Sequence, residues 1–171
     1  MIADWAQNAG VDFNAFAEED EVRSKKKRQL VDHHPLTKAG KKYANAASDW
    51  FREFDQTIEI SDDLEDAREV IQWYQYQIAV KTIRALSGRK EELEEDVEIG
   101  GFPKDSDGSA KVALIGIDRS IAAWRMMQLS LPERSESIVP LILQLERLRQ
   151  RLEKGFPEAR SFVRPGFDES G

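Results

Sequence analysis

Apolar residues recur at alternating spacings of three and four near the end of the chain, at Ile138, Leu141, Leu145, Leu148 and Leu152. Arg147, Arg149, Gln150, Arg151, Glu153 and Lys154 fill the positions between them. This pattern predicts a helix with one buried seam, and such a helix must pack against other helices. Three further windows show the same period. Ala39, Tyr43, Ala46, Ala47, Trp50, Phe51 and Phe54 predict a helix over about 36–58, with Thr37 as its N-cap behind Pro35. Ser61, Asp62 and Asp63 supply a cap and first-turn acids for a second helix that runs to about Leu86 and stops at Gly88. Ser109 caps a third helix over about 110–130, in which Ala113, Gly116, Ser120 and Ala123 form a small-residue edge beside Leu114, Ile117, Ile121 and Trp124. Pro132 breaks the chain, Ser135 or Ser137 starts the seam helix, and Gly155 ends it.

These windows predict an all-α protein: a four-helix up-and-down bundle of two helical hairpins over residues 35–156. Residues 1–34 read as a partly flexible N-terminal arm, because Glu18 to Glu21 and Lys25 to Arg28 form adjacent runs of opposite charge. Residues 157–171 read as a C-terminal tail that packs on the bundle through Phe162, Val163 and Phe167. The acidic stretch 89–98 and the glycine- and aspartate-rich segment from Gly100 to Gly108 separate the hairpins. No period of 20 to 50 residues repeats, which argues against a solenoid.

Composition narrows the chemistry. The 171 residues suit one domain, long enough to bury roughly 70% of the unfolded surface. The chain has no cysteine, which excludes disulfides, thiolate metal sites and cysteine nucleophiles. The segment from Met1 to Trp5 lacks the basic start and apolar run of a secretory signal, and no apolar stretch approaches the ~18 residues of a membrane span. These features give the expectation of a cytoplasmic protein without membrane contact. A net charge of −7 disfavours nucleic-acid binding by the whole surface, while a local basic patch stays possible.

Each chemical constellation competes with a plainer explanation. A di-iron bundle needs Glu-x-x-His pairs on two helices, but the two histidines, His33 and His34, are adjacent and precede Pro35. A capping or loop role is preferred for that pair. Asp62, Glu65, Asp66 and Glu69 are explained by the dipole of the helix they begin, so neither a metal nor a cofactor is expected. The segment from Asp105 to Gly108 matches the middle of a calcium loop and fails at both ends, at Pro103 and Leu114. The stretch from Leu36 to Lys42 resembles the short segment that leads from the wing into the last helix of winged-helix transcription regulators. With Lys25 to Arg28, that resemblance implies DNA binding through the basic arm.

Two groups remain. Gln77, Lys81 and Arg84 form a polar stripe on the helix over 62–86, and Asp118 interrupts the apolar run of the next helix. If these stripes meet, Asp118 pairs with Lys81 or Arg84 in a network that sets register or lines an internal site. Val70, Ile71, Trp73, Tyr74, Tyr76, Ile78, Val80, Ile83 and Leu86 cover most of the circumference of the 62–86 helix. One face carries Trp73, Tyr76, Val80 and Ile83 and is the candidate interface; the other carries Ile71, Tyr74 and Ile78. The expected function is therefore a non-catalytic interaction module that forms a homodimer or binds another protein. The alternatives are a small-ligand binder or enzyme with a polar site between the middle two helices, and nucleic-acid binding through the arm.

Overall fold

A computed structural model describes residues 13–54, 61–87 and 103–160. Among them the chain is nearly all helical and has no strand. Its helices are α1 (Phe13–His33), α2 (Pro35–Phe54), α3 (Asp62–Ser87), α4 (Pro103–Ser130), α5 (Ser135–Gly155) and α6 (Pro157–Arg160), with a 3-10 turn at Pro132–Arg134. No helix of the described residues is long and apolar enough to cross a membrane. The expectations placed on Gly88, the acidic stretch 89–98, Phe162, Val163 and Phe167 lie outside these residues.

The segment read as an arm contains a continuous helix. Its acids, Glu18 to Glu21, precede its bases by about one turn, so that opposite charges stand four apart along α1. Glu21 and Lys25 also pair at 2.9 Å across one turn. Such pairs add modest support to a helix whose hydrophobic period is weak. Residues 17–30 are exposed, and α1 is anchored at its end by the buried Val31. His34 then interrupts the helical path, and its Nδ1 accepts the Leu36 backbone N–H at 3.2 Å. His34 therefore caps α2; Thr37, expected in that role, is fully buried inside the helix.

Helix α3 begins directly after Ser61, whose carbonyl accepts the N–H groups of Leu64 and Glu65, both at 3.0 Å. Helix α4 starts earlier than expected, at Pro103, because proline is tolerated in a first helical turn. Ser109 is consequently an internal residue and not a cap. Ser106 instead donates its hydroxyl to the Ala85 carbonyl, one of the last four carbonyls of α3 that lack partners within their own helix.

The core is one cluster drawn from α2, α3, α4 and α5 and closed by Phe156 and Ala159. The α5 seam is buried as its period requires, with Ile138, Leu141, Leu145, Leu148 and Leu152 all inside. Helix α3 packs on α2 and α4, and α5 packs on the same two helices. Gly40 lets α2 approach α3, since a Cβ there would stand 3.2 Å from the Ala79 Cα. Gly116 does the same for α4, facing Tyr74 and Ile78 of α3. Contacts of Ser106 with Ala85 and of Arg119 with Tyr74 show that α3 and α4 run antiparallel.

Candidate functional site

The polar groups of α3 and α4 do not converge. Gly116 marks the flank of α4 that meets α3, and Asp118, two residues on, is turned about 200° from it. Asp118 therefore faces α5, where Arg149 approaches its carboxylate at 3.3 Å. Arg125, seven residues along the same stripe, pairs with Glu146 of α5 at 3.2 Å. Arg149 also reaches Glu153 at 3.4 Å. Partial burial raises the Asp118 pKa, Arg149 opposes that shift, and Glu153 reinforces it. Among the described residues, neither Lys81 nor Arg84 pairs with Asp118. Gln77 and Lys81 are half-buried and Arg84 is exposed, all on α3. The proposed network between α3 and α4 is thus replaced by an ion-pair seam between α4 and α5. Glu146, Arg149 and Glu153, spaced by three and four, were the signal for it in the sequence.

The interior holds polar groups that serve packing. Trp124 donates its indole N–H to the Tyr43 hydroxyl at 2.9 Å, deep in the core. Burial pushes the Tyr43 pKa up to about 12, against smaller opposing effects of Trp124 and Ser120. Trp50 donates to the Ser137 hydroxyl at 2.9 Å, and Ser137 in turn donates to the Arg134 carbonyl at 2.6 Å. The Trp50 and Trp124 rings meet edge to face with centroids 5.1 Å apart, and Phe51 stacks on Trp124 at 5.5 Å. Thr37 Oγ1 and Gln75 Oε1 are buried without a hydrogen-bond partner among the described residues. They stand on opposite sides of the Gly40–Ala79 contact, separated by roughly two helical turns, about 10 Å. Among the described residues no three histidine, aspartate or glutamate side chains come together to hold a metal ion, Asp62, Glu65, Asp66 and Glu69 included.

Helix α3 divides its apolar residues as its two faces suggest. Ile71 and Ile78 are buried, and Tyr74 is half-buried beside Gly116, where its hydroxyl accepts a hydrogen bond from Arg119 at 2.6 Å. On the opposite face Trp73 is 67% exposed, Tyr76 54% and Val80 45%. Ile83 belongs elsewhere: it is half-buried and packs against the core. Met126 and Leu129 at the end of α4 are exposed as well, a second apolar surface that the period did not single out. Leu36 to Lys42 lie within α2, whose Leu36, Thr37 and Gly40 are buried, and no wing precedes them among the described residues.

No protein-family model, curated protein or solved structure matches this chain.

Proposed function

We propose that the chain is a non-catalytic helical interaction module that self-associates through the outer face of α3. Its framework, in this reading, is the up-and-down bundle of α2, α3, α4 and α5, supported by the ring of contacts in which each of these helices packs on two others. The observation that carries the functional reading is the row of Trp73, Tyr76 and Val80, spaced by three and four and left open to solvent on a helix whose opposite face is sunk in the core. Two aromatic rings in a row with an aliphatic side chain are costly to leave in water and are the residues that dominate protein interfaces. The separation of Asp118, turned toward α5, from Lys81 and Arg84 on α3 supports this reading over an internal ligand site. Pairing of Lys25 with Glu21 weighs against a basic arm free to bind phosphates.

Sedimentation equilibrium at micromolar concentration tests the reading. The expected result is a species of twice 19.6 kDa that Trp73→Glu reduces to monomer with helicity intact. A wild-type monomer overturns it. A dimer that withstands Trp73→Glu and yields to Leu129→Glu moves the interface to the end of α4.

A further inference from the structure

The outer face of α3 is polarised along its length. Asp66 and Glu69 are exposed before the Trp73–Val80 row, and Arg84 is exposed after it, with Lys81 half-buried alongside. Neither Glu69 nor Arg84 forms an ion pair with another described residue. The sequence of side chains is also symmetric about the peptide bond between Tyr76 and Gln77. Glu69 lies seven residues before Tyr76 and Arg84 seven after Gln77; Trp73 and Val80 stand three residues from the same two positions, one on each side.

We infer that the partner on this face is a second copy of the chain, with the two α3 helices crossing antiparallel about a twofold axis at Tyr76–Gln77. This rests on the reading of α3 as an interface and adds its register. A twofold axis makes the contact isologous, so every pair occurs twice. Antiparallel packing sets Trp73 against Val80 of the second copy, a flat ring against a small branched side chain. It sets Glu69 against Arg84 of that copy at each end, about 22 Å apart along the helix, so that each charge meets its opposite. Parallel packing sets Glu69 on Glu69 and Arg84 on Arg84, and like charges at matched positions repel. Opposite charges at the ends of an apolar stripe are how paired helices select orientation. The pattern on α3 admits one orientation with attraction at both ends.

Charge reversal tests this in sedimentation equilibrium of the full chain. Glu69→Arg turns two attractions into two repulsions and raises the dissociation constant roughly 10-fold, taking each exposed pair at about twofold to fivefold. Arg84→Glu does the same. The double variant Glu69→Arg with Arg84→Glu returns the constant to within about threefold of the wild type, because each new charge faces its opposite only when the helices run antiparallel. Both positions of substitution are solvent-facing, so circular dichroism should show unchanged helicity. A wild-type dimer that Trp73→Glu dissociates but that ignores charge reversal, or that the double variant fails to restore, overturns the antiparallel register and leaves the interface reading standing. A wild-type monomer overturns both.

Discussion

Gly116→Ala should separate in stability from Gly108→Ala by about 1–3 kcal/mol, although both remove a glycine from the same helix. Alanine gains up to about 1 kcal/mol of helix propensity over glycine at an interior position, and that gain is common to the two variants. At Gly108 a Cβ meets nothing within 4 Å, so the gain is realised. At Gly116 the Cβ would stand 2.8 Å from Tyr74 Cδ1 and 3.1 Å from Ile78 Cγ1. The Tyr74 ring cannot simply swing aside, because its hydroxyl accepts from Arg119 at 2.6 Å and the guanidinium lies 5.8 Å from the ring centroid. Relief therefore requires α3 and α4 to part or Tyr74 to leave its partner, and overpacking of this kind costs about 1–3 kcal/mol. The net expectation is a gain of up to about 1 kcal/mol for Gly108→Ala and a change from about zero to a loss of about 2 kcal/mol for Gly116→Ala. For a chain of this size each kcal/mol moves the thermal midpoint by about 2–4 °C, so the midpoints should differ by several degrees. Thermal and urea unfolding followed by far-ultraviolet circular dichroism reads both. Equal stabilisation by the two alanines would show that α3 and α4 do not touch closely at Gly116.

Leu145→Ala, at a fully buried position of the α5 seam, should cost about 2–5 kcal/mol in urea unfolding, while the exposed Gln150→Ala stays within about 0.5 kcal/mol; equal losses would mean the buried face is misplaced. Tyr43 should ionise near pH 12 by spectrophotometric titration. Its folded pKa lies above the unfolded value of 10.0, so its contribution to stability is complete below pH 10 and is lost as the pH rises toward 12. Tyr43→Phe should flatten the alkaline decline while lowering stability at neutral pH by about 1–3 kcal/mol through the orphaned Trp124 indole. A Tyr43→Phe protein with the wild-type alkaline profile would place the cause elsewhere. Asp118 has a raised pKa, so its protonated form is the one the fold favours, and its contribution falls as the pH rises through that pKa. Asp118→Asn should accordingly be tolerated at neutral pH within about 1 kcal/mol despite the lost pair with Arg149; a larger loss would show that the pair outweighs the burial.

Period alone located the cores of α2, α3, α4 and α5, because each buries one stripe against helices that bury theirs. It misjudged ends. Ser109 looked like a cap only because Asp105 to Gly108 read as a turn, yet acids and a proline suit a first helical turn as well as they suit a loop. Helix α1 escaped notice for a related reason: it is held by charge order and by a single buried anchor at Val31, neither of which produces a hydrophobic period. The polar cluster between α3 and α4 failed on angle. Asp118 shares a face with Lys111 and Arg125, and nothing in one helix states which neighbour that face will meet. The complement was present on α5 and was decisive only once the helices were assembled. The two faces of α3 are separable in the sequence, and Gly116 with the Tyr74 ring packed over it accounts for the Ile71, Tyr74 and Ile78 face being the one turned inward.

The hydrogen bond from Trp124 to Tyr43 has a consequence for how the molecule breathes. It joins α4 to α2 through the middle of the core, while α2 and α4 each pack on both α3 and α5. Loosening α3 with α4 from the rest must strip the indole and the phenol of their partners and part the Trp50, Phe51 and Trp124 rings in the same event. Partial opening along that line forfeits the whole aromatic cluster at once. Backbone amides in the centres of α2 and α4 should therefore exchange their hydrogens with solvent together and only through the rarest, global opening. Those of α1, whose outer three turns touch water on every described side, exchange first and independently, leaving a slow-exchanging nucleus centred on one tyrosine and one tryptophan.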